Sequence, residues 1–471
     1  MATSKVYYMD ARSESVETSL VAKMLTVFDA AGLDKIISPN DIVAIKVHCG
    51  EWNNTAYLRP VYARALADRI KELGGRPFVT ETTTQSARIH GGRICELDLL
   101  LTAERNGYSS ANLGCPFIVA DGFIGNSDYR VDIPEGYLLK EAYVAQAIAA
   151  SDVLIALTHF KGHVMGVIGG ALKNLGIGGQ SKRGKMNVHM GGHPTYGLGS
   201  AAVFHPEKFK GKANTPDWQD LEECCPFNLW HINGNDEIEW EREKCTGCLG
   251  CMAPMGSRGI LELPPIMFDA TDLAIADAAL GVVKTVGRDK VGYINMAIDV
   301  SPQCDCGDYA DMPVVPNLGV YASKDPVAID MACVDAAKGA HGIPGSAAEA
   351  MGAHHPGDPK FEATAAILHG QSEVATINTG HANGIGSRNY EIITVKPESP
   401  ERHRFSFDKR PTRQRFQKRF EMMPPFPHDR HEGRGYNRLE SVDVEAMKRH
   451  YEPSVNGIPE PSEKAPSPAN D

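Results

Sequence analysis

Residues 41–49 read DIVAIKVHC, from Asp41 to Cys49. The run is β-branched and mostly apolar, the composition of a strand covered on both faces. Residues 59–73 follow with Tyr62, Leu66, Ile70 and Leu73 at helical spacing, and Gly74-Gly75 ends the segment. Short apolar runs return at 77–83, 116–123 and 153–157, separated by helical stretches near 92–106 and 140–150. This alternation predicts an α/β fold, a mainly parallel sheet with flanking helices.

The alternation breaks after about Leu198. It resumes with a helix at 269–286, strands at 291–300 and 318–322, and a helix capped by Asp325 and opened by Pro326. The intervening residues are richer in charge and hold three Trp and five Cys. The expected organisation has residues 1–200 as the first part of the α/β core and 201–265 as a small cysteine-bearing, ferredoxin-like insertion. Residues 266–395 then form the second part of the core, and 396–471 a basic, then Pro-rich, irregular C-terminal extension. Two separate α/β domains flanking the insertion are the alternative.

The chain has 471 residues and a formal net charge of −11, which disfavours non-specific binding to nucleic acid or to an anionic membrane. The charge is uneven, since residues 402–419 hold eight basic residues and one acid. No apolar run approaches the ~18 residues of a membrane span, and the start shows no secretory signal, so a cytoplasmic location is expected. Eleven cysteines in such a chain point to thiol, metal or redox chemistry before disulfides.

Residues 244–251 read KCTGCLGC. Cys245, Cys248 and Cys251 at successive three-residue spacing suit three corners of a [4Fe-4S] cluster, whereas zinc sites more often use two separated pairs. Met255 stands where a ferredoxin would place its fourth cysteine. Cys304 and Cys306 (SPQCDC), just after a predicted strand, rank first as the source of the missing ligand, and Cys224-Cys225 second. An open iron is the remaining option. Cys49, Cys95, Cys115 and Cys333 read as packing residues.

Residues 158–193, THFKGHVMGVIGGALKNLGIGGQSKRGKMNVHMGGH, follow a predicted strand. Their glycines and lysines suit an anion, and Gly162, Gly169, Gly170, Lys173, Asn174 and Gly176 are the candidate cofactor-binding set, for a flavin or another phosphate-bearing cofactor. The stretch matches neither the Walker A pattern nor the dinucleotide fingerprint. Lys46 and His48, with Glu51 nearby, sit at the end of one strand, and Lys161 and His163 lie beyond another. Parallel strands present their carboxyl ends along one edge, so these four are the candidate catalytic residues. His159/His163 and His189/His193 form two H-x3-H pairs, for which polar or acid–base roles are expected before metal.

Taken together, KVHCGEWNNTAYLRP, THFKGH, GGALKNLGIG, SPQCDC and ASKDPVAID resemble, in order, the motifs of the iron–sulphur centre proteins called domain of unknown function 362. The resemblance covers about residues 5–340. It implies ferredoxin-type cysteines in the position of Cys245, Cys248 and Cys251, and an iron–sulphur protein of anaerobic redox metabolism. It implies no substrate.

The leading expectation is an iron–sulphur oxidoreductase that passes single electrons between the cluster and a small anionic ligand in a Gly/Lys/His-rich crevice, with a redox partner protein. A non-redox lyase or hydratase using an open iron as Lewis acid is the second, and an electron carrier or assembly partner without its own substrate the third. Homo-oligomer formation through the C-terminal extension is a further option, and nucleic acid is not expected as a partner.

Overall fold

The computed structural model describes residues 3–85, 91–163, 165–190, 202–215, 218–365, 372–403, 417, 439–448, 452–453 and 459–460. It has two compact units, Met1–Arg404 and Phe405–Asp471. In the second unit the described residues form a short 3-10 turn at Leu439–Ser441, a helical turn at Val444–Met447 and paired two-residue strands, Glu452–Pro453 with Pro459–Glu460. Most of the basic stretch 402–419 and residue His193 lie outside the described residues.

The first unit is built on an eight-stranded sheet. Its strands are β1 (Ser4–Met9), β2 (Ile42–Lys46), β3 (Arg76–Glu81), β4 (Phe117–Val119), β5 (Val153–His159), β6 (Val291–Ala297), β7 (Gly319–Ser323) and β8 (Tyr390–Thr394). They lie in the order β8-β1-β7-β6-β5-β2-β3-β4. All run parallel except β7, which is antiparallel to both β1 and β6. Strands before and after residues 201–265 share this sheet, because β5 and β6 pair from Leu154↔Val291 to His159↔Met296. One continuous sheet therefore replaces the alternative of two separate α/β domains.

Period-2 alternation divides the strand side chains between two cores. Val43 and Ile45 of β2 and Ile155 and Leu157 of β5 join Val27 and Phe28 of α1 (Leu20–Ala30), Leu66 and Ile70 of α2 (Pro60–Glu72) and Leu99 of α3 (Glu96–Arg105). On the other face Ala44, Leu154 and Ala156 join α4 (Ala171–Gly176), α5 (Lys182–Met190), α6 (Pro265–Val286), α7 (Pro326–Gly339) and α8 (Ala375–Ala382). All seven residues of β5 are buried, which explains its unbroken apolar reading, and each such aliphatic side chain contributes about 1.5–3 kcal/mol. Asp325 caps α7 as expected, accepting from the Val327 and Ala328 amides at 2.9 and 3.0 Å.

The segment expected to be a helix over 140–150 begins as a strand and only ends as a helical turn. Glu141–Ala145 pairs antiparallel with Asp128–Asp132, and only Gln146–Ala149 is helical. The hairpin wins because Ala142 and Val144 face the core together at period 2.

Within 201–265, Val203–Phe204 pairs with Leu261–Glu262 and Trp230–Ile232 with Ile238–Trp240. Trp230 stacks on Trp240 with ring centroids 4.9 Å apart, over a small core that includes Leu221, Cys224 and Met255. Met255, at the position of the absent ferredoxin cysteine, is a buried core residue.

Candidate functional site

The chain runs β2–β3–β4 toward one edge of the sheet and returns as β5 on the other side of β2. Ligands in α/β sheets bind where the strand order reverses in this way, at the carboxyl ends. Lys46 ends β2, Glu81 ends β3 and His159 ends β5. These residues open into a cavity of about 250 Å³ whose wall also includes His48, Lys161, His163 and Lys173.

Lys46 Nζ donates to Glu81 Oε1 at 2.7 Å, to the Val47 carbonyl at 2.6 Å and to Asn174 Oδ1 at 3.2 Å. Burial lowers the Lys46 pKa and Glu81 opposes that shift. Glu81 Oε2 lies 3.9 Å from His48 Nδ1. Burial, reinforced by Arg93, Lys161 and Lys173, drives His48 well below its ordinary value, so its imidazole is neutral. In the wall, Arg93 Nε meets Glu51, which lies behind it, at 3.0 Å. Lys185, on α5, donates to Thr82 Oγ1 at 2.7 Å, and burial lowers its pKa to about 7. Burial likewise takes His189 down to about 4, and its Nδ1 faces the Lys185 carbonyl at 2.8 Å.

The wall thus holds five buried basic side chains, Lys46, Arg93, Lys161, Lys173 and Lys185, and one carboxylate, Glu81, while Glu51 and Asp305 pair with Arg93 and Lys161 from behind it. Glu81 Oε2, Gln85 Oε1 and Arg93 Nη2 find no hydrogen-bond partner among the described residues. A buried guanidinium nitrogen without an acceptor, inside a positive wall, suits a bound anion.

Cys304 and Cys306 follow β6, and their side chains meet His163 rather than the KCTGCLGC cysteines. The ligand atoms of His163, Cys304 and Cys306 all lie within 4.8 Å of one another. Asp305, between the two thiols, turns away to His159 Nδ1 at 2.9 Å and Lys161 Nζ at 3.1 Å. Burial opposes ionisation of Asp305, but His159 and Lys161 outweigh it and hold the carboxyl below its ordinary value. Burial also opposes ionisation of Cys304. A hydrogen bond from Cys306 and the ammonium groups of Lys173 and Lys161 overcome it and place the thiol well below the usual range. Cys306 moves the opposite way because its proton is shared with Cys304 and it is itself buried.

The other thiols gather elsewhere. Cys245, Cys248 and Cys251 line a small second cavity together with Cys225, Trp230 and Leu249. Cys225, and neither Cys304 nor Cys306, shares this cavity. Cys224 points into the small core, with its Sγ 2.9 Å from the Leu221 carbonyl. Burial and the four surrounding thiols push Cys251 far up, the environment of a sulfur that ionises only against a cation. Four sulfurs around one cavity are a donor set that fits an iron–sulphur group. Leu249 lies in the wall of both cavities, so the cysteine motif abuts the crevice.

A family model described as Domain of unknown function (DUF362) matches residues 43–335, from β2 into α7. The chain belongs to the DUF362 family. The match encloses the crevice, the insertion and both cysteine groups. No curated protein matches the chain. Among solved structures, the lactate racemase apoprotein from Thermoanaerobacterium thermosaccharolyticum is similar with a TM-score of 0.31 and 11% identity. That match covers 63% of this chain and 51% of the racemase chain, so the DUF362 protein spans about half the length of that structure.

All four candidate catalytic residues of this DUF362 protein, Lys46, His48, Lys161 and His163, line the one crevice. Of the cofactor-binding set, Gly169, Gly170, Lys173 and Asn174 line it too. Gly162 and Gly176 are not in its lining and are closely packed: a Cβ would lie 2.2 Å from the Pro302 carbonyl at Gly162 and 2.1 Å from the Ile275 carbonyl at Gly176. The first amides of α4, where a phosphate was expected, already have an anion. Asp330 accepts from Ala171 and Leu172 at 2.7 and 2.9 Å. The long glycine-rich loop is itself structured, into a hairpin (Lys161–His163 with Val167–Gly169), α4 and α5.

Glu81, Arg93 and Asp305 join the site without having been singled out in the sequence. Glu81 carried a signal, as the last residue of a strand like that of Lys46. Arg93 lies in a short Gly-Gly-Arg turn and carried none.

Proposed function

We propose that this DUF362 protein is an iron–sulphur oxidoreductase that takes a small anionic substrate or cofactor into the crevice. Cys225, Cys245, Cys248 and Cys251 would hold a [4Fe-4S] cluster, which supplies one-electron transfer when bound. The observation that carries this reading is the shared wall at Leu249, which sets the four thiols beside the crevice.

The chain's own residues bind and orient the ligand. Arg93 Nη2 and the Lys161, Lys173 and Lys185 ammonium groups draw an anion inward, carboxylate or phosphate. Neutral His48 accepts from the Gly50 amide at Nδ1, 3.1 Å away, so its Nε2–H is left as a hydrogen-bond donor for the ligand. Lys185, with a pKa of about 7, gives or takes a proton near neutrality. The apolar share of the wall, including Met165, Ile177 and Ile275, excludes water from the bound ligand. In the proposed setting the protein is cytoplasmic and exchanges electrons with a redox partner protein.

Anaerobic purification with iron and sulphide counts, followed by EPR of the reduced protein, tests the reading. A [4Fe-4S] signal with matching counts is expected. One tightly bound zinc and no iron would overturn it.

A further inference from the structure

A second metal centre is written into the crevice itself. We propose that His163, Cys304 and Cys306 hold a single divalent ion of the zinc class, separate from the cysteines of the insertion, with one coordination position open to the bound anion.

The donor set and its size carry the inference. A tetrahedral ion at about 2.3 Å from sulfur and 2.0 Å from nitrogen keeps its donors about 3.5–3.8 Å apart. The three ligand atoms already lie within 4.8 Å of one another, so small side-chain rotations close the site. Two thiolates and an imidazole suit borderline ions such as zinc and cobalt.

The frame around them is built before any ion arrives. The Gly162 amide donates to the Ser301 carbonyl at 2.8 Å, and the Glu51 amide to the Asp305 carbonyl at 2.9 Å. Asp305 ties the thiol loop to His159 and Lys161. A side chain at Gly162 would drive its Cβ into the Pro302 carbonyl, so the approach of the His163 hairpin to the Cys304 loop depends on that glycine. Outer contacts are present as well. Lys173 Nζ donates to Cys304 Sγ at 3.3 Å, which offsets thiolate charge. The Met165 and Gly166 amides donate to His163 Nδ1 at 3.1 and 2.7 Å, so binding through Nε2 requires these contacts to open as the ring proton moves from Nε2 to Nδ1. The imidazole stays neutral, its proton passing from Nε2 to Nδ1, and the ion displaces the proton that Cys304 and Cys306 share, which passes to solvent.

Three protein ligands leave a fourth position, the arrangement of catalytic rather than structural zinc. His163 and Cys306 line the cavity, so that position faces the same space as Arg93 and Lys161. An oxygen of a carboxylate or hydroxy acid is the ligand class that this set would take. The inference stands on the crevice residues alone and does not require iron in the insertion.

The test uses the full chain carrying Cys225→Ser, Cys245→Ser, Cys248→Ser and Cys251→Ser, so that the insertion thiols cannot answer. Co2+ titration should show one ion per chain, with sulfur-to-cobalt charge-transfer absorption. Adding Cys304→Ser or Cys306→Ser should weaken binding at least about tenfold and remove part of that absorption. Unchanged binding in both variants, or no charge-transfer band in the parent, overturns the site. An anomalous map of crystals of the unaltered protein soaked in Zn2+ gives a readout independent of variant folding. A peak between His163, Cys304 and Cys306 is expected, and an empty position there overturns the proposal. Iron counts on the unaltered protein report separately on the insertion, so the two readings fail independently.

Discussion

Lys46 Nζ and Glu81 Oε1 meet at 2.7 Å on neighbouring parallel strands, with side-chain exposures of 1% and 3%. Two charges at this depth stabilise the fold only as a pair. Removing one leaves the other buried and uncompensated.

Glu81→Ala is therefore expected to cost about 3–5 kcal/mol in chemical denaturation. The double variant Lys46→Met/Glu81→Leu should recover most of that loss while abolishing ligand binding in the crevice. A Glu81→Ala protein as stable as the parent would show that water reaches the pair.

Lys185 makes stability depend on pH. Its ammonium holds a proton to about 7 when folded, against an ordinary value of 10.5. Between these values the unfolded chain binds more protons, so this group's contribution to stability rises with pH from 7 to about 10 and is flat below 7. Compared with Lys185→Met, the parent should gain about 2 kcal/mol between pH 7 and 9, read from urea midpoints. A bound anion keeps the proton on Lys185, so anion affinity should fall as pH rises above 7.

The fate of the thiols separates the two cysteine groups. Cys225→Ser should lower iron and sulphide per chain and convert the EPR signal, whereas Cys304→Ser should leave both unchanged. The reverse result would return Cys304 to the position that the sequence ranked first.

Asp330 closes the amino end of α4 from another helix, and it also accepts from Asn295 Nδ2 at 2.8 Å. Asp330→Ala strands these buried donors and should cost about 2–3 kcal/mol. Asp330→Asn, which keeps one acceptor, should cost less. Thermal unfolding of both variants measures the difference.

Much of the crevice was legible because strand ends announce themselves. The apolar run before Lys46 and the run before His159 each end in polar residues, and parallel strands deliver such ends to one edge. The glycines were harder. Spacing marks Gly162, Gly170 and Gly176 as unusual, but a glycine that admits a neighbouring carbonyl or carboxylate reads the same as one that admits a phosphate. The segment 140–150 misled because Ala-rich sequence favours helix until a partner strand claims its buried face.

The sequence by itself determined the α/β alternation, the Asp325 cap of α7 and the three-residue spacing of Cys245, Cys248 and Cys251. Each follows from local backbone geometry, a period of 2 or 3.6 or a turn, which a few neighbouring residues suffice to set. Only the tertiary structure decided that Cys225 lines one cavity with those three, that Cys304 and Cys306 face His163, that Glu81 and Arg93 line the crevice, and that Asp305 pairs with His159 and Lys161. These partners lie tens to more than a hundred residues apart, and strand order brings them together. No local pattern encodes strand order, because it depends on how the whole sheet buries its two faces.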